Sequence, residues 1–94
     1  METLHLNLHG SFFDQIASGE KKEEYRDISP YWIRRITNAI NQGVKTITFS
    51  NGYAKDRRQM VVGLESVARG IGRKEWGAPE HAVYILRLGN IFKQ

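Results

Sequence analysis

The segment from Ser18 to Asp27 constrains the fold of this chain most strongly, because seven of its ten residues are charged. Gly19 is suited to ending a helix, so the segment predicts a strand that follows a helix. If the second half of the segment is extended, alternate side chains point the same way, and Lys22, Glu24 and Arg26 share one face. Two interpretations stay open: a solvated run of neutralising charges, or a polar pocket on a sheet.

The periodicity of the apolar residues predicts five strands and two helices. The strand candidates are 3–8, 22–26, 46–49, 60–68 and 82–88. The first helix, 12–17, is predicted to begin with Ser11 as cap and Asp14 as its capping partner. Ser29 and Pro30 are typical of a second helix start, and Gly43 of its end. Since most strands are not separated by helices, the pattern indicates an α+β fold, a small mixed barrel, rather than a parallel sheet.

Length and composition limit the organisation and the chemistry of the chain. Ninety-four residues, 40% of them hydrophobic, predict one domain, 1–94, with a modest core. Without Cys there is no disulfide, no cysteine-zinc cluster and no thiol nucleophile, and the three His show no metal-ligand spacing. We therefore expect no metal and no other cofactor. The absence of a leader pattern and of a long apolar run favours a soluble, cytoplasmic protein without a membrane partner.

The charge balance points to an anionic partner. The formal net charge is +4 and the sequence pI is about 9.6, and nucleic acid is the commonest partner of such proteins. A small nucleotide, or a merely basic surface, is the alternative. Two loops contain basic residues, and a barrel could bring both loops to one rim. The sequence therefore predicts a basic patch there that faces phosphates. The residues of this patch are Arg57, Arg58, Arg69, Arg73 and Lys74.

Three side chains of the charged segment could carry chemistry. A desolvated Lys21 could bind a phosphate or carbonyl group, or act as a base or nucleophile. Glu24 could orient Lys21, accept a hydrogen bond from the amino group of cytosine, or transfer a proton. Arg26 could bind a phosphate with two hydrogen bonds, or form a structural ion pair with Glu24.

Aromatic side chains that could stack on a base form a second group of candidates. The group consists of Tyr25, Tyr31, Tyr53 and Trp76. Trp32, in contrast, is predicted to belong to the core. Asn51, after the third strand, could hydrogen-bond a ligand, although its simpler role is the turn that it forms with Gly52.

The residues 19–26, GEKKEEYR, resemble a known family. They match the G-x-K-x-x-E-x-R signature of the ASCH domain, a small barrel of the PUA-like group. Other pieces that resemble small bacterial and phage ASCH proteins follow in the same order, at 12–17, 30–32, 50–53, 75–78 and 84–89. The resemblance implies a PUA-like mixed barrel of about five strands with two helices, and a pocket, lined by the signature, that recognises RNA.

The resemblance also implies an activity. Some small bacterial ASCH proteins hydrolyse the amide of N4-acetylcytidine and similar N4-acylated cytidines with a lysine, a threonine and a downstream glutamate. The lysine corresponds to Lys21, but Glu24 stands in place of the threonine, so that hydroxyl nucleophile is missing. Glu75 fits the downstream glutamate best, with Glu80 and the strand residue Glu65 as alternatives. Direct attack by water, with a carboxylate as base and Lys21 at the oxyanion, stays open.

We therefore expect recognition of a modified cytidine nucleoside or RNA, with amide hydrolysis at Lys21, Glu24 and Glu75. A non-catalytic RNA-binding module and a metal-independent ribonuclease are the alternatives. An enzyme needs Lys21 and a carboxylate together in a closed, nucleoside-sized pocket, whereas a binding module needs an open basic groove. The sequence leaves the oligomeric state open between a monomer and a weak dimer.

Overall fold

The computed structural model describes residues 2–52 and 58–94. Its elements are β1 (Leu4–Leu8), α1 (Gly10–Ala17), β2 (Glu23–Arg26), α2 (Pro30–Asn41), β3 (Thr46–Asn51), β4 (Gln59–Gly70) and β5 (Val83–Lys93). A short 3-10 helix, Lys74–Trp76, lies between β4 and β5. The prediction of an α+β fold with five strands and two α-helices is confirmed for this part of the chain.

The strands form one mixed sheet in the order β1-β3-β4-β5-β2. β1 runs parallel to β3, while the other three strand pairs are antiparallel. The register between β4 and β5 shifts three times between Val61 and Ser66, and such irregularities increase the local twist of a sheet. The sheet curls into a half-barrel whose two edges are β1 and β2.

The core joins one face of the sheet to both helices. In β1 the alternation of side chains buries Leu4, Leu6 and Leu8 and exposes the two residues between them. These leucines belong to one apolar cluster with Phe13 of α1 and Ile36 of α2. Burial of this face fixes the strand register, because a slip by one residue would turn the leucines outward.

The two helices begin differently. The predicted capping pair of α1 is wrong: the helix starts at Gly10 with His9 as its cap residue, and no side chain caps it. Ser11 therefore lies inside the helix, where a hydroxyl cannot act as the cap. In α2 the prediction is confirmed, since the Ser29 hydroxyl accepts a hydrogen bond from the Trp32 amide at 3.4 Å.

The helix ends also follow local rules. Gly19 after α1 and Gly43 after α2 have φ values of +86° and +70°, in the left-handed region that favours glycine. Both predicted helix ends are therefore confirmed. Across the described ranges, none of the helices has the length and apolar character that a membrane crossing requires.

Candidate functional site

A cavity of about 380 Å³ lies between the two edge strands of the half-barrel. From the β1 side it is lined by Asn7, Leu8 and His9, and from the β2 side by Glu24, Tyr25 and Arg26. The remaining lining residues are Phe12, Gly52, Trp76 and Gly77. A volume of this size is typical of sites for small organic ligands.

Lys21 lies behind the wall of this cavity. Its side chain is 1% exposed, and its Nζ lies 3.2 Å from Glu24 Oε1 and donates a hydrogen bond to the Trp76 carbonyl at 2.6 Å. The same nitrogen lies 5.0 Å from the centroid of the Phe12 ring and 4.8 Å from that of Tyr25. Burial lowers the pKa of Lys21 below its usual value, and the Glu24 carboxylate opposes this decrease.

The turn after α1 determines which lysine is buried. The amide of Lys21 donates to the Gln15 carbonyl at 3.0 Å, so the chain folds back onto the end of α1 before β2 begins at Glu23. Lys22 is exposed and lies outside the strand. The expectation that Lys22 shares a face with Glu24 and Arg26 is therefore wrong, because extended alternation does not reach back to it.

Glu24 is held between two cations. Its Oε1 faces Lys21 and its Oε2 lies 2.7 Å from Arg26 Nη2, while the side chain is 8% exposed. A carboxylate at such a position is desolvated, and the two cations compensate for the lost hydration. Of the two open interpretations of the charged segment, this geometry favours the pocket over a solvated run of charges.

Arg26 connects the two edges of the sheet. From β2, its Nη2 donates to the carbonyl of Asn7 in β1 at 3.0 Å. Its guanidinium carbon also lies 5.1 Å from the centroid of the Trp32 ring. The Nε of Arg26 is buried and has no partner among the described residues. A buried donor of this kind gains free energy from any acceptor that a ligand provides.

Tyr25 forms a fixed wall of the cavity. Its hydroxyl donates to Glu23 Oε1 at 2.8 Å and accepts from the Arg73 amide at 3.0 Å. Burial raises the pKa of Tyr25 to about 12. The ring leaves no room at Gly72, where a Cβ would lie 2.4 Å from its nearest carbon. Glycine at that position therefore lets the backbone pack against the ring.

Trp76 and Gly77 close the cavity from the loop before β5. Gly77 ends the 3-10 helix with a φ of +93°, and a Cβ there would lie 2.6 Å from the Phe12 ring. Phe12 in turn contacts the Lys21 ammonium. Lys21 thus contacts this loop directly, through the Trp76 carbonyl, and indirectly, through the Phe12 ring that packs on Gly77.

The predicted catalytic residue Glu75 and several predicted substrate-binding residues do not line the cavity. Glu75 is exposed and lies 3.6 Å from Arg73, and Glu65 packs against Gly89 on another part of the surface. Tyr31 is 55% exposed on α2, and Asn51 ends β3 outside the lining residues. Tyr53 lies outside the described residues. The roles predicted for these residues stay predictions.

The predicted basic patch is divided among separate contacts. Arg58 forms an ion pair with Asp14, and Lys74 with Glu80 at 2.9 Å. Arg73 faces Glu75, and Arg69 donates a hydrogen bond to the Tyr84 hydroxyl at 3.1 Å. Arg57 lies outside the described residues. Within the described part of the chain, three of these cations therefore face a neighbouring carboxylate, which weakens the positive potential that they present.

Six lining residues were missed by the sequence analysis as site residues: Asn7, Leu8, His9, Phe12, Gly52 and Gly77. The alternation in β1 correctly indicates that Asn7 is exposed. No local pattern, however, places this strand edge beside β2, because that neighbourhood results from the strand order of the whole sheet. Over residues 2–52 and 58–94 there is also no group of three His, Asp or Glu side chains that could hold a metal ion.

No protein-family model, no curated protein and no solved structure matches this chain. The ASCH resemblance therefore stays a prediction. The site consists of a buried cation-carboxylate-cation group beside a cavity with aromatic walls. Such a cavity is able to bind a flat polar molecule, with Glu24 as acceptor and Arg26 as donor.

Proposed function

We propose that the cavity binds a cytosine base and that the protein is an amidohydrolase of N4-acylated cytidines. The observation that supports this proposal most directly is the pair formed by Lys21 and Glu24, buried at the wall of a nucleoside-sized cavity, with 3.2 Å between nitrogen and oxygen. Titratable groups with a pKa altered by burial, next to a specific charged partner in a cleft, are concentrated at functional sites.

The lining residues would recognise the base by complementary hydrogen bonds. Arg26 Nε, which is buried and has no partner among the described residues, would donate to the carbonyl or ring nitrogen of the base. Glu24 would accept from the N–H of the N4-amide. The rings of Tyr25 and Trp76, which line the same cavity, would pack against the faces of the base.

The reaction would be direct hydrolysis of the amide. Glu24 accepts a proton from a water molecule as the oxygen of this water bonds to the acyl carbon. The Lys21 ammonium, which lies behind Glu24 in the cavity wall, would stabilise through its field the negative charge that forms on the acyl oxygen. The bond between the acyl carbon and N4 then breaks, and N4 takes the proton from Glu24. The products are cytidine and the carboxylic acid.

The proposal assigns the base to Glu24 rather than to Glu75, because Glu24 is the carboxylate that lines the cavity. The test follows hydrolysis of N4-acetylcytidine by absorbance in the wild type, Lys21→Met, Glu24→Gln and Glu75→Gln. We expect the first two variants to lose about 100-fold or more in kcat/KM, the usual size of such effects. Glu20→Gln, which changes an exposed carboxylate of the same segment, is the matched control.

Two results would contradict this assignment. A wild type without turnover excludes the amidohydrolase, and full activity of Glu24→Gln with loss in Glu75→Gln moves the base to Glu75. Circular dichroism and thermal unfolding of each variant separate loss of chemistry from loss of fold.

A non-catalytic binding module is the second candidate, and one observation favours it. Both oxygens of Glu24 already face cations, and the Lys21 ammonium already has two oxygen partners. A polar network with its partners in place rigidifies a site and suits recognition without chemistry. Calorimetry that detects binding of N4-acetylcytidine or cytidine by a wild type without turnover would select this candidate.

A further inference from the structure

A row of alternating cations and aromatic rings extends from the cavity along the free edge of β1. It consists of Arg26, Trp32, Arg35 and Tyr31, and we call it the cation-aromatic row. The guanidinium carbons of Arg26 and Arg35 lie 5.1 Å and 5.2 Å from the Trp32 ring centroid. Arg35 also lies 5.8 Å from the Tyr31 ring, and the two rings meet edge to face at 4.9 Å.

Hydrogen bonds from arginine side chains to backbone carbonyls of β1 fix the position of this row. Arg26 donates to the carbonyl of Asn7, and Arg35 donates to that of His5, each at 3.0 Å. Carbonyls two residues apart on a strand point the same way, so these two lie roughly 7 Å apart along β1. β1 is an edge of the sheet, so both carbonyls point away from β3, the strand that pairs with it. The guanidinium groups are thus held in place before any ligand binds.

At the end of the row away from the cavity, the positive charges of Arg34 and Arg35 are not neutralised by a carboxylate among the described residues. Among the described residues, Arg35 and its neighbour Arg34 have no carboxylate partner, in contrast to Arg58, Arg73 and Lys74. The described hydrogen bonds of the Arg35 side chain go to Tyr31 and His5, whereas a guanidinium has five N–H donors. Arg34 follows Tyr31 by three positions in α2, so the two side chains lie on the same side of the helix.

We propose that the cation-aromatic row binds a single-stranded polynucleotide that continues from the base in the cavity. Arg26 belongs to both places, so a strand that leaves the cavity meets Arg35 and Arg34 next. Their free donors suit phosphate oxygens, and the exposed Tyr31 ring suits a base that is not stacked in a duplex. This proposal rests on the cavity being the nucleobase site, and it makes a polymer, rather than the free nucleoside, the preferred ligand.

The test is fluorescence anisotropy with a labelled oligocytidylate of about ten nucleotides. We expect the double variant Arg34→Gln, Arg35→Gln to weaken binding about tenfold near 150 mM salt. The slope of log affinity against log salt should decrease by roughly 1.4, because each phosphate contact to a single strand contributes roughly 0.7. Tyr31→Ala should weaken binding about fivefold or more through lost stacking, while Tyr31→Phe should retain it.

The matched control removes two charges elsewhere. Lys45→Gln, Lys93→Gln has the same net charge as the double variant but changes exposed lysines at the start of β3 and the end of β5. Equal losses in both double variants, or no loss in either, would overturn the proposal. Arg34→Gln alone serves where the Arg35 change impairs folding, since Arg34 is exposed on α2.

Further ligands identify the polymer and separate this proposal from the hydrolase. Equal affinity for the DNA and RNA forms of the oligonucleotide would show that the row contacts the phosphates and bases. Higher affinity for the RNA form would show that it also contacts the 2′-hydroxyl groups. Binding of a duplex as tightly as of the single strand would overturn the proposal. If the wild type hydrolyses free N4-acetylcytidine but binds no oligonucleotide, the proposal of polynucleotide binding by the row is wrong and the amidohydrolase proposal is retained. If the row binds and hydrolysis is absent, only the hydrolase fails.

Discussion

Lys21 is buried to a degree that a lysine reaches only with charged or hydrogen-bonding partners. Its ammonium contacts the carboxylate of Glu24 and the carbonyl of Trp76, and the rings of Phe12 and Tyr25 cover it. The same side chain therefore connects β2 to the loop before β5. It is both a structural centre and a buried cation behind the cavity wall.

The pKa of Lys21 predicts how its contribution to stability changes with pH. Because burial lowers this pKa in the folded protein, the unfolded chain binds more protons between the lowered pKa and the ordinary lysine pKa of 10.5. The free energy of unfolding of the wild type should therefore rise with pH as 10.5 is approached from below. In Lys21→Met this term is absent, so the difference in unfolding free energy between the wild type and the variant should grow with pH.

Urea unfolding of both proteins at several pH values between about 7 and 10 measures this difference. At the lowest pH we expect the variant to be less stable by about 2 kcal/mol, because the Trp76 carbonyl loses its donor. Tyr25, with its pKa raised to about 12, is present in both proteins, so its effect largely cancels. A difference that stays constant or shrinks with pH would show that Lys21 does not titrate as described.

At the scale of the elements, the start of α2 shows how far local sequence rules reach. Ser29 and Pro30 are at the first positions of α2, where the sequence predicts them, because a hydroxyl cap and a fixed φ act within a few residues. The predicted start of α1 was wrong because the helix begins at Gly10, with His9 as its cap residue, so that Ser11 lies inside it. Local patterns therefore predict where elements occur better than where each begins.

The Ser29 cap should have a measurable effect on stability. Ser29→Ala removes the acceptor of the Trp32 amide and should lower the free energy of unfolding by about 0.5–1 kcal/mol. Ser29→Asp should stay within a few tenths of the wild type, since a carboxylate also caps and interacts favourably with the helix dipole. Urea denaturation tests both variants. Equal losses in the alanine and aspartate variants would mean that the hydroxyl does not cap α2.

At the scale of the whole molecule, strand order decides what the sequence could not predict. The charged segment itself indicated Lys21, Glu24 and Arg26, and the structure brings them together. Their neighbours Asn7 and His9 lie in and just after the edge strand β1, which pairs with β3, about forty residues away in sequence. No period in the sequence records such a pairing. The cavity therefore arises from the topology, as a gap between the two edges that the strand order leaves.

Arg26 should stabilise this gap more than an exposed arginine of the same sheet. Arg26→Met removes the ion pair with Glu24 and the hydrogen bond to the Asn7 carbonyl, and this hydrogen bond joins β2 to β1. The variant should therefore have a free energy of unfolding that is lower by about 2 kcal/mol. Arg87→Met is the matched control, because Arg87 is half exposed and lies 3.5 Å from Glu23, so its loss should cost less than about 1 kcal/mol. Urea unfolding compares the two, and amide hydrogen exchange in β1 should accelerate only in Arg26→Met. Similar costs in both variants, with unchanged exchange in β1, would mean that the leucines of β1 alone hold the two edges in place.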